Sequence, residues 1–76
     1  MNWRDRIVAD PNVLVGKPVI KGTRISVELV MDLLARGYGH DDVLAQYPAL
    51  GQQDIVACLA YAAELTRLER MLGRPA

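Results

Sequence analysis

One histidine, His40, and one cysteine, Cys58, are the only imidazole and the only thiol among the 76 residues, so one of each must serve every catalytic or metal-binding role that needs them. A Ser–His–Asp or Cys–His constellation needs its members to converge, and no recognisable spacing here supplies one. His40 opens a predicted helix beside Asp41 and Asp42 and reads as a solvated helix-start residue. Cys58 lies between apolar neighbours and reads as a small buried filler rather than a nucleophile. With one of each, no Cys/His metal cluster can assemble and no internal disulfide can close. Gly16-Lys17 lacks the upstream glycine spacing and the following hydroxyl of a phosphate-binding loop, and Pro18 comes next. Asp41, Asp42 and Asp54 fall at predicted helix starts, where the helix dipole accounts for them without catalysis. The expectation is a protein that is not an enzyme and carries no cofactor or metal.

Polar contacts are a better prospect. Lys17, Lys21 and Arg24 form a locally basic segment with no acid between Pro11 and Val27, inside a chain of formal net charge zero. In Gly22-Thr23-Arg24 a glycine turn sets a hydroxyl beside a guanidinium just before a helix. Arginine offers a planar donor fork for phosphate or carboxylate. The tripeptide then contacts DNA backbone, a partner protein or a dimer mate, or else is a hairpin turn with Arg24 paired to Glu28 or Asp32. A second candidate is the start of the third predicted helix, where Gln52 and Gln53 occupy the base-reading place of a helix-turn-helix. Asp54 follows and no Lys or Arg supports them, so a plain three-helix bundle is the competing reading. Zero net charge argues against strong non-specific DNA binding.

These residues are positioned by two halves of different texture. Up to Ile25 the chain is β-like. Runs at Ile7-Val8-Ala9, Val13-Leu14-Val15, Pro18-Val19-Ile20 and Thr23-Arg24-Ile25 are separated by Asp10-Pro11-Asn12, Gly16-Lys17 and Lys21-Gly22, which is hairpin chemistry. From Ser26 the chain is helical. Ser26 caps a helix over about 27–36, with Val27, Val30, Met31 and Leu34 on one face and Gly37 as the stop. A short helix spans about 40–47, using Val43, Leu44 and Tyr47 and ending at Pro48. A third runs from about Gln52 to Leu72. The expected class is α+β, mainly α: a short β-hairpin unit followed by a three-helix, helix-turn-helix-like bundle, all one domain over 1–76.

The third helix carries two apolar stripes. Ile55, Cys58, Leu59 and Ala62 can close the core. Tyr61, Leu65, Leu68 and Leu72 are shifted around the axis and either form a protein interface or fold back on the β unit. A chain this small is marginal alone, and a partner chain is the support left once disulfides and metals are absent. A homodimer is therefore expected. No apolar signal-peptide core follows Met1 and no span is long enough for a bilayer, so a cytoplasmic, membrane-free protein is expected.

The string Gly16-Lys17-Pro18-Val19-Ile20-Lys21-Gly22-Thr23-Arg24-Ile25, with Leu34-Ala35-Arg36-Gly37, Tyr47-Pro48-Ala49-Leu50, Asp54-Ile55 and Leu59-Ala60-Tyr61-Ala62, resembles the bacterial "domain of unknown function 433" family over roughly residues 5 to 65. The resemblance implies a winged-helix-like or helix-turn-helix-like fold and a dimer. Many members of that family sit beside PIN-like nuclease toxins, so it also implies an antitoxin that binds and neutralises such a partner. A DNA-binding autorepressor is the alternative it leaves open. Gly39 and Gly51 stand where the family usually has Ser or Thr as helix caps.

Overall fold

The computed structural model describes the backbone of residues 2–71 and the side chains of residues 2–69. A 3-10 turn at Trp3–Asp5 leads into strand β1 (Ile7–Ala9). A second 3-10 turn, Leu14–Gly16, precedes strand β2 (Pro18–Ile20). Helices α1 (Val27–Ala35), α2 (His40–Gln46) and α3 (Gln52–Met71) follow. The class is α+β, mainly α, as expected.

β1 and β2 pair antiparallel, with Ile7 opposite Ile20, Val8 opposite Val19 and Ala9 opposite Pro18. The Lys21 amide donates to the Arg6 carbonyl at 2.8 Å. Because antiparallel pairs alternate between bonded and non-bonded, Val8–Val19 is the next bonded pair, and Ile7–Ile20 and Ala9–Pro18 are not. Pro18 therefore sits where β1 requires no donor from it. On its far side β2 is also occupied: the Ile20 amide donates to the Ile25 carbonyl at 2.9 Å, and Val19 bridges to Ser26.

Val13-Leu14-Val15, expected as a strand, is a turn. Its local bonds decide this: Val13 N–H donates to the Asp10 carbonyl, Gly16 N–H to Val13 and Lys17 N–H to Leu14. The Asp10 carboxylate also accepts from the Asn12 amide at 2.9 Å. The turn forces Leu14 and Val15 to φ of +49° and +56°. For a β-branched residue that region is sterically unfavourable by roughly 1–2 kcal/mol, and Val15 is 95% exposed, so packing offsets none of it. Val15→Gly is accordingly expected to stabilise the protein by about 1 kcal/mol, which for a domain of this size raises the melting temperature by roughly 4–8 °C. A calorimetric scan showing no rise would remove the strain from the account.

Thr23-Arg24-Ile25, also expected as a strand, begins as a turn. The Thr23 amide donates to the Ile20 carbonyl at 3.0 Å, and Gly22 takes φ +80°. Thr23 then clamps the crossing into α1: its hydroxyl donates to the Ile20 carbonyl at 2.8 Å and accepts from the Ile25 amide at 3.0 Å.

Helix ends follow from local chemistry. The Ser26 hydroxyl accepts from the Leu29 amide at 3.0 Å. Gly37, at φ +98°, closes α1, with Tyr38 N–H bonded to the Leu33 carbonyl and Gly37 N–H to Leu34. That is the paired C-terminal bonding a left-handed residue permits. At α2 and α3 the cap residues Gly39 and Gly51 have no side chain. The return half of the capping box survives at both: Asp42 accepts from the Gly39 amide and Asp54 from the Gly51 amide, each at 2.8 Å.

The core joins Ile7 and Ile20 of the hairpin to Val27, Val30 and Leu33 of α1, Val43 of α2, Leu50, and Ile55, Ala57 and Cys58 of α3. Two expected faces need adjustment. On α1, Leu33 is buried, whereas Met31 and Leu34 pack at its margin. On α3, Ala57 is buried and Leu59 is 39% exposed. α1 packs against β2, α2 and α3, and α3 against the first 3-10 turn, α1 and α2, so the inner face of each is set by these neighbours rather than by the periodic stripe alone. α3 is about 30 Å long at 1.5 Å per residue, and the longest dimension of the molecule is 39 Å. Past its contacts with Trp3 and Arg4 through Glu64, the helix carries Leu65 and Leu68 exposed.

Candidate functional site

Two side-chain clusters join the N-terminal segment to α3. The inner one is polar. Arg6, between the first turn and β1, reaches the Asp54 carboxylate at 3.1 Å. Its other terminal nitrogen donates to the Gln53 amide oxygen. Asp54 is nearly buried at 8% exposure and already accepts from Gly51. One carboxylate thus caps α3 and anchors the β unit to it.

The outer cluster forms a groove. The Trp3 indole stands edge-on to the Tyr61 ring, with centroids 4.8 Å apart and planes at 74°. Its ring nitrogen donates to Glu64 at 2.6 Å. The Arg4 guanidinium lies over the same indole at 4.4 Å and pairs with Glu64 at 3.3 Å. Beyond these residues, α3 continues with Leu65 and Leu68, which are 45% and 50% exposed. Trp3, Arg4, Tyr61, Glu64, Leu65, Arg67 and Leu68 line a concavity of about 420 Å³. Its floor is apolar and aromatic. Arg67 stands on its rim and makes no ion pair among the described residues. Such a surface can take an apolar side chain with a carboxylate beside it.

The expected interface stripe is therefore divided. Tyr61 is used within the chain, against Trp3. Leu65 and Leu68 remain uncovered, and Leu72 lies outside the described residues. Sequence reasoning missed Trp3, Arg4 and Glu64. The available signal was a lone tryptophan near the start and the i, i+3, i+4 spacing of Tyr61, Glu64 and Leu65 on one helix flank.

The six residues considered for DNA are distributed differently. Lys17 pairs with Glu28 at 3.1 Å. Thr23 is held by backbone groups. Gln52 bonds His40 at 2.6 Å, so His40 ties the starts of α2 and α3 together instead of standing free in solvent. Gln53 bonds Arg6. Lys21 and Arg24 are exposed. Arg24 does not pair with Glu28 or Asp32: Lys17 takes the first, and Arg36 takes the second at 3.0 Å. Lys21 borders a shallow hollow with Asp5, Arg6 and Asp54.

Cys58 is fully buried. Burial, with the Asp54 charge adding to it, pushes its thiol from 9.0 up to about 11. Between those values the folded chain keeps a proton that the unfolded chain has lost, so stability falls as pH rises from about 9 to 11. Below pH 9 the thiol is protonated in both states and contributes no slope. The native thiol is expected to resist iodoacetamide at pH 8 and to react fully in denaturant; rapid native alkylation would contradict the burial.

No helix among the described residues is long and apolar enough to cross a membrane. No group of three His, Cys, Asp or Glu able to hold a metal stands together among them.

Known proteins give this fold a place but no activity. The chain is 32% identical over 59 residues to the uncharacterized protein y4eO of Sinorhizobium fredii, matching 78% of this chain and 27% of that one. It thus spans about a quarter of that relative's length. It is 67% identical over 24 residues to an uncharacterized protein of Archaeoglobus fulgidus, covering 32% of this chain and 67% of that one. The crystal structure of a DUF433 member from Anabaena variabilis superposes with a TM-score of 0.77 at 26% identity, over 93% of this chain and 71% of that one. The family model described as "Protein of unknown function (DUF433)" matches residues 7–62, and the chain belongs to that family.

Proposed function

We propose that this chain is an antitoxin-like protein-binding module, which acts as a homodimer and docks a partner nuclease along the groove between Trp3 and α3. One observation carries the reading. Leu65 and Leu68 are exposed beside an aromatic pair that is already fixed in place. Apolar anchors at i and i+3 next to a rigid aromatic floor suit a helix laid into a groove. Aromatic and Arg side chains are the types that dominate such interfaces. The occupant this groove fits is an amphipathic segment with a carboxylate that meets Arg67. That the partner is a PIN-like nuclease toxin rests on the resemblance set out above. A cytoplasmic setting fits a chain whose one cysteine is unpaired.

A DNA-reading role has less support. Lys17, Thr23, Gln52 and Gln53 are engaged within the chain. Lys21 and Arg24 remain as the exposed cations of that set, on a chain of formal net charge zero.

Co-expression with the product of the adjacent open reading frame tests the reading, using size-exclusion chromatography with light scattering. A stable complex, together with relief of growth arrest caused by the neighbour alone, is expected. A dimer that ignores the neighbour but shifts duplex DNA, with an affinity that falls steeply with salt, would favour the regulator instead.

A further inference from the structure

The first half of α3 has no polar flank. From Ile55 to Ala63 the helix carries no charged or amide side chain. A helix that is apolar all round is normally covered all round. Ile55, Ala57 and Cys58 belong to the core, whereas Val56 and Leu59 are 43% and 39% exposed and lie outside it. Val56, Leu59, Ala60 and Ala63 follow the i, i+3, i+4, i+7 spacing of one helix face. At about 3.6 residues per turn, that face lies on the flank of α3 opposite Leu65 and Leu68. It has two parts that differ in relief. Val56 and Leu59 project from it. Ala60 and Ala63 line a hollow of about 500 Å³ that they share with Trp3, Arg4 and Arg67.

We infer that this outer face of α3 is the dimer surface, and that its occupant is α3 of a second copy, antiparallel about a two-fold axis between Leu59 and Ala60. This rests on the dimeric part of the reading above and names the surface it leaves open. In that register Val56 lies opposite Ala63 of the second copy, and Leu59 opposite Ala60. Each projecting side chain therefore meets the other copy's hollow, and the alanines let the two axes approach to about 8 Å. An unrelated helix would need to reproduce this order of large and small residues, whereas a second copy supplies it by symmetry. Charge selects the same arrangement. Asp54 is nearly buried and Glu64 is bonded to Trp3, so Arg67 is the charge that borders this face. A parallel pair would set the two Arg67 guanidinium groups against each other. The antiparallel pair holds them about 22 Å apart at 1.5 Å per residue, each opposite Gln52 of the other copy. The Gln52 amide nitrogen bonds His40, which leaves its oxygen to accept from Arg67. Leu65 and Leu68 stay open to the other partner.

The test uses the full chain and light scattering. Leu59→Asp and Val56→Lys each put a charge on the face, at exposed positions outside the core, so the monomer fold is kept. The wild type is expected at twice the 8.4 kDa chain mass, and both variants at 8.4 kDa with unchanged circular dichroism. Register is read by the double variant Val56→Lys/Ala63→Glu, which sets opposite charges across the antiparallel pair at both ends and is expected to return to the dimer mass. Wild type at 8.4 kDa up to millimolar concentration would overturn both this face and the dimeric reading. A wild-type dimer with Leu59→Asp and Val56→Lys still dimeric would overturn the face alone. Single variants that are monomeric, with a double variant that stays monomeric, would overturn the antiparallel register. A monomeric wild type whose capture of the adjacent-frame product is lost in Leu59→Asp would assign the face to that partner instead of a second copy.

Discussion

Asp54→Ala is expected to destabilise the protein by about 3 kcal/mol, more than its place in the first turn of a helix suggests. A lost helix cap costs roughly 1 kcal/mol, and breaking a largely buried ion pair costs more because the remaining charge loses its partner. Asp54 serves both roles at once: it accepts from the Gly51 amide and holds Arg6. The ion-pair part is discounted, because the Arg6 side chain is 36% exposed and water can reach it. A chain of 76 residues has roughly 4–11 kcal/mol of stability in all, so the loss is a large fraction. Urea unfolding would show the midpoint fall. Asp54→Asn keeps an acceptor for Gly51 but no charge, and should recover about half. Equal stability for Asp54→Ala and wild type would mean that the Arg6 anchor contributes nothing.

Trp3→Ala is expected to have the next largest effect, about 2 kcal/mol, and the variant should also lose its partner. Full truncation of a core tryptophan costs roughly 3–5 kcal/mol, and Trp3 is only half-buried. Its contacts are specific: the edge-on packing with Tyr61, the bond to Glu64 and the stacked Arg4. Aromatic pairs of this geometry add roughly 0.5–1.5 kcal/mol beyond burial. Trp3→Phe retains the ring and drops the ring N–H, so stability should fall by about half as much. If Trp3→Ala unfolds like wild type, the N-terminal turn is not docked on α3 in solution.

The helices were legible because their signals are local. Ser26, Gly37 and Pro48 mark ends, and apolar spacing marks faces. The Val13–Val15 turn was not legible, since three β-formers in a row favour a strand by composition. The Asp10 side-chain bond and the left-handed Val15 outweigh that preference. The site divides along the same line. Leu65 and Leu68 could be singled out from α3 alone. Trp3 and Glu64 lie 61 positions apart, and Arg6 and Asp54 lie 48 apart. No local pattern links such pairs; they meet because β1 and α3 pack into one core. Gln52 and Gln53 illustrate the converse. Their place at a helix start suggested base reading, while their folded neighbours, His40 and Arg6, could not be named from spacing.

The most direct test of the docking groove is a calorimetric titration of the purified product of the adjacent reading frame into wild type and into Leu65→Asp/Leu68→Asp. Both leucines are about half exposed, so the double variant should melt within a degree or two of wild type. The account predicts saturable binding to wild type and a loss of at least about 100-fold in affinity for the variant, as expected when central apolar anchors become charged. Equal binding by the two proteins would contradict it, because the partner would then dock somewhere other than the groove beside Trp3.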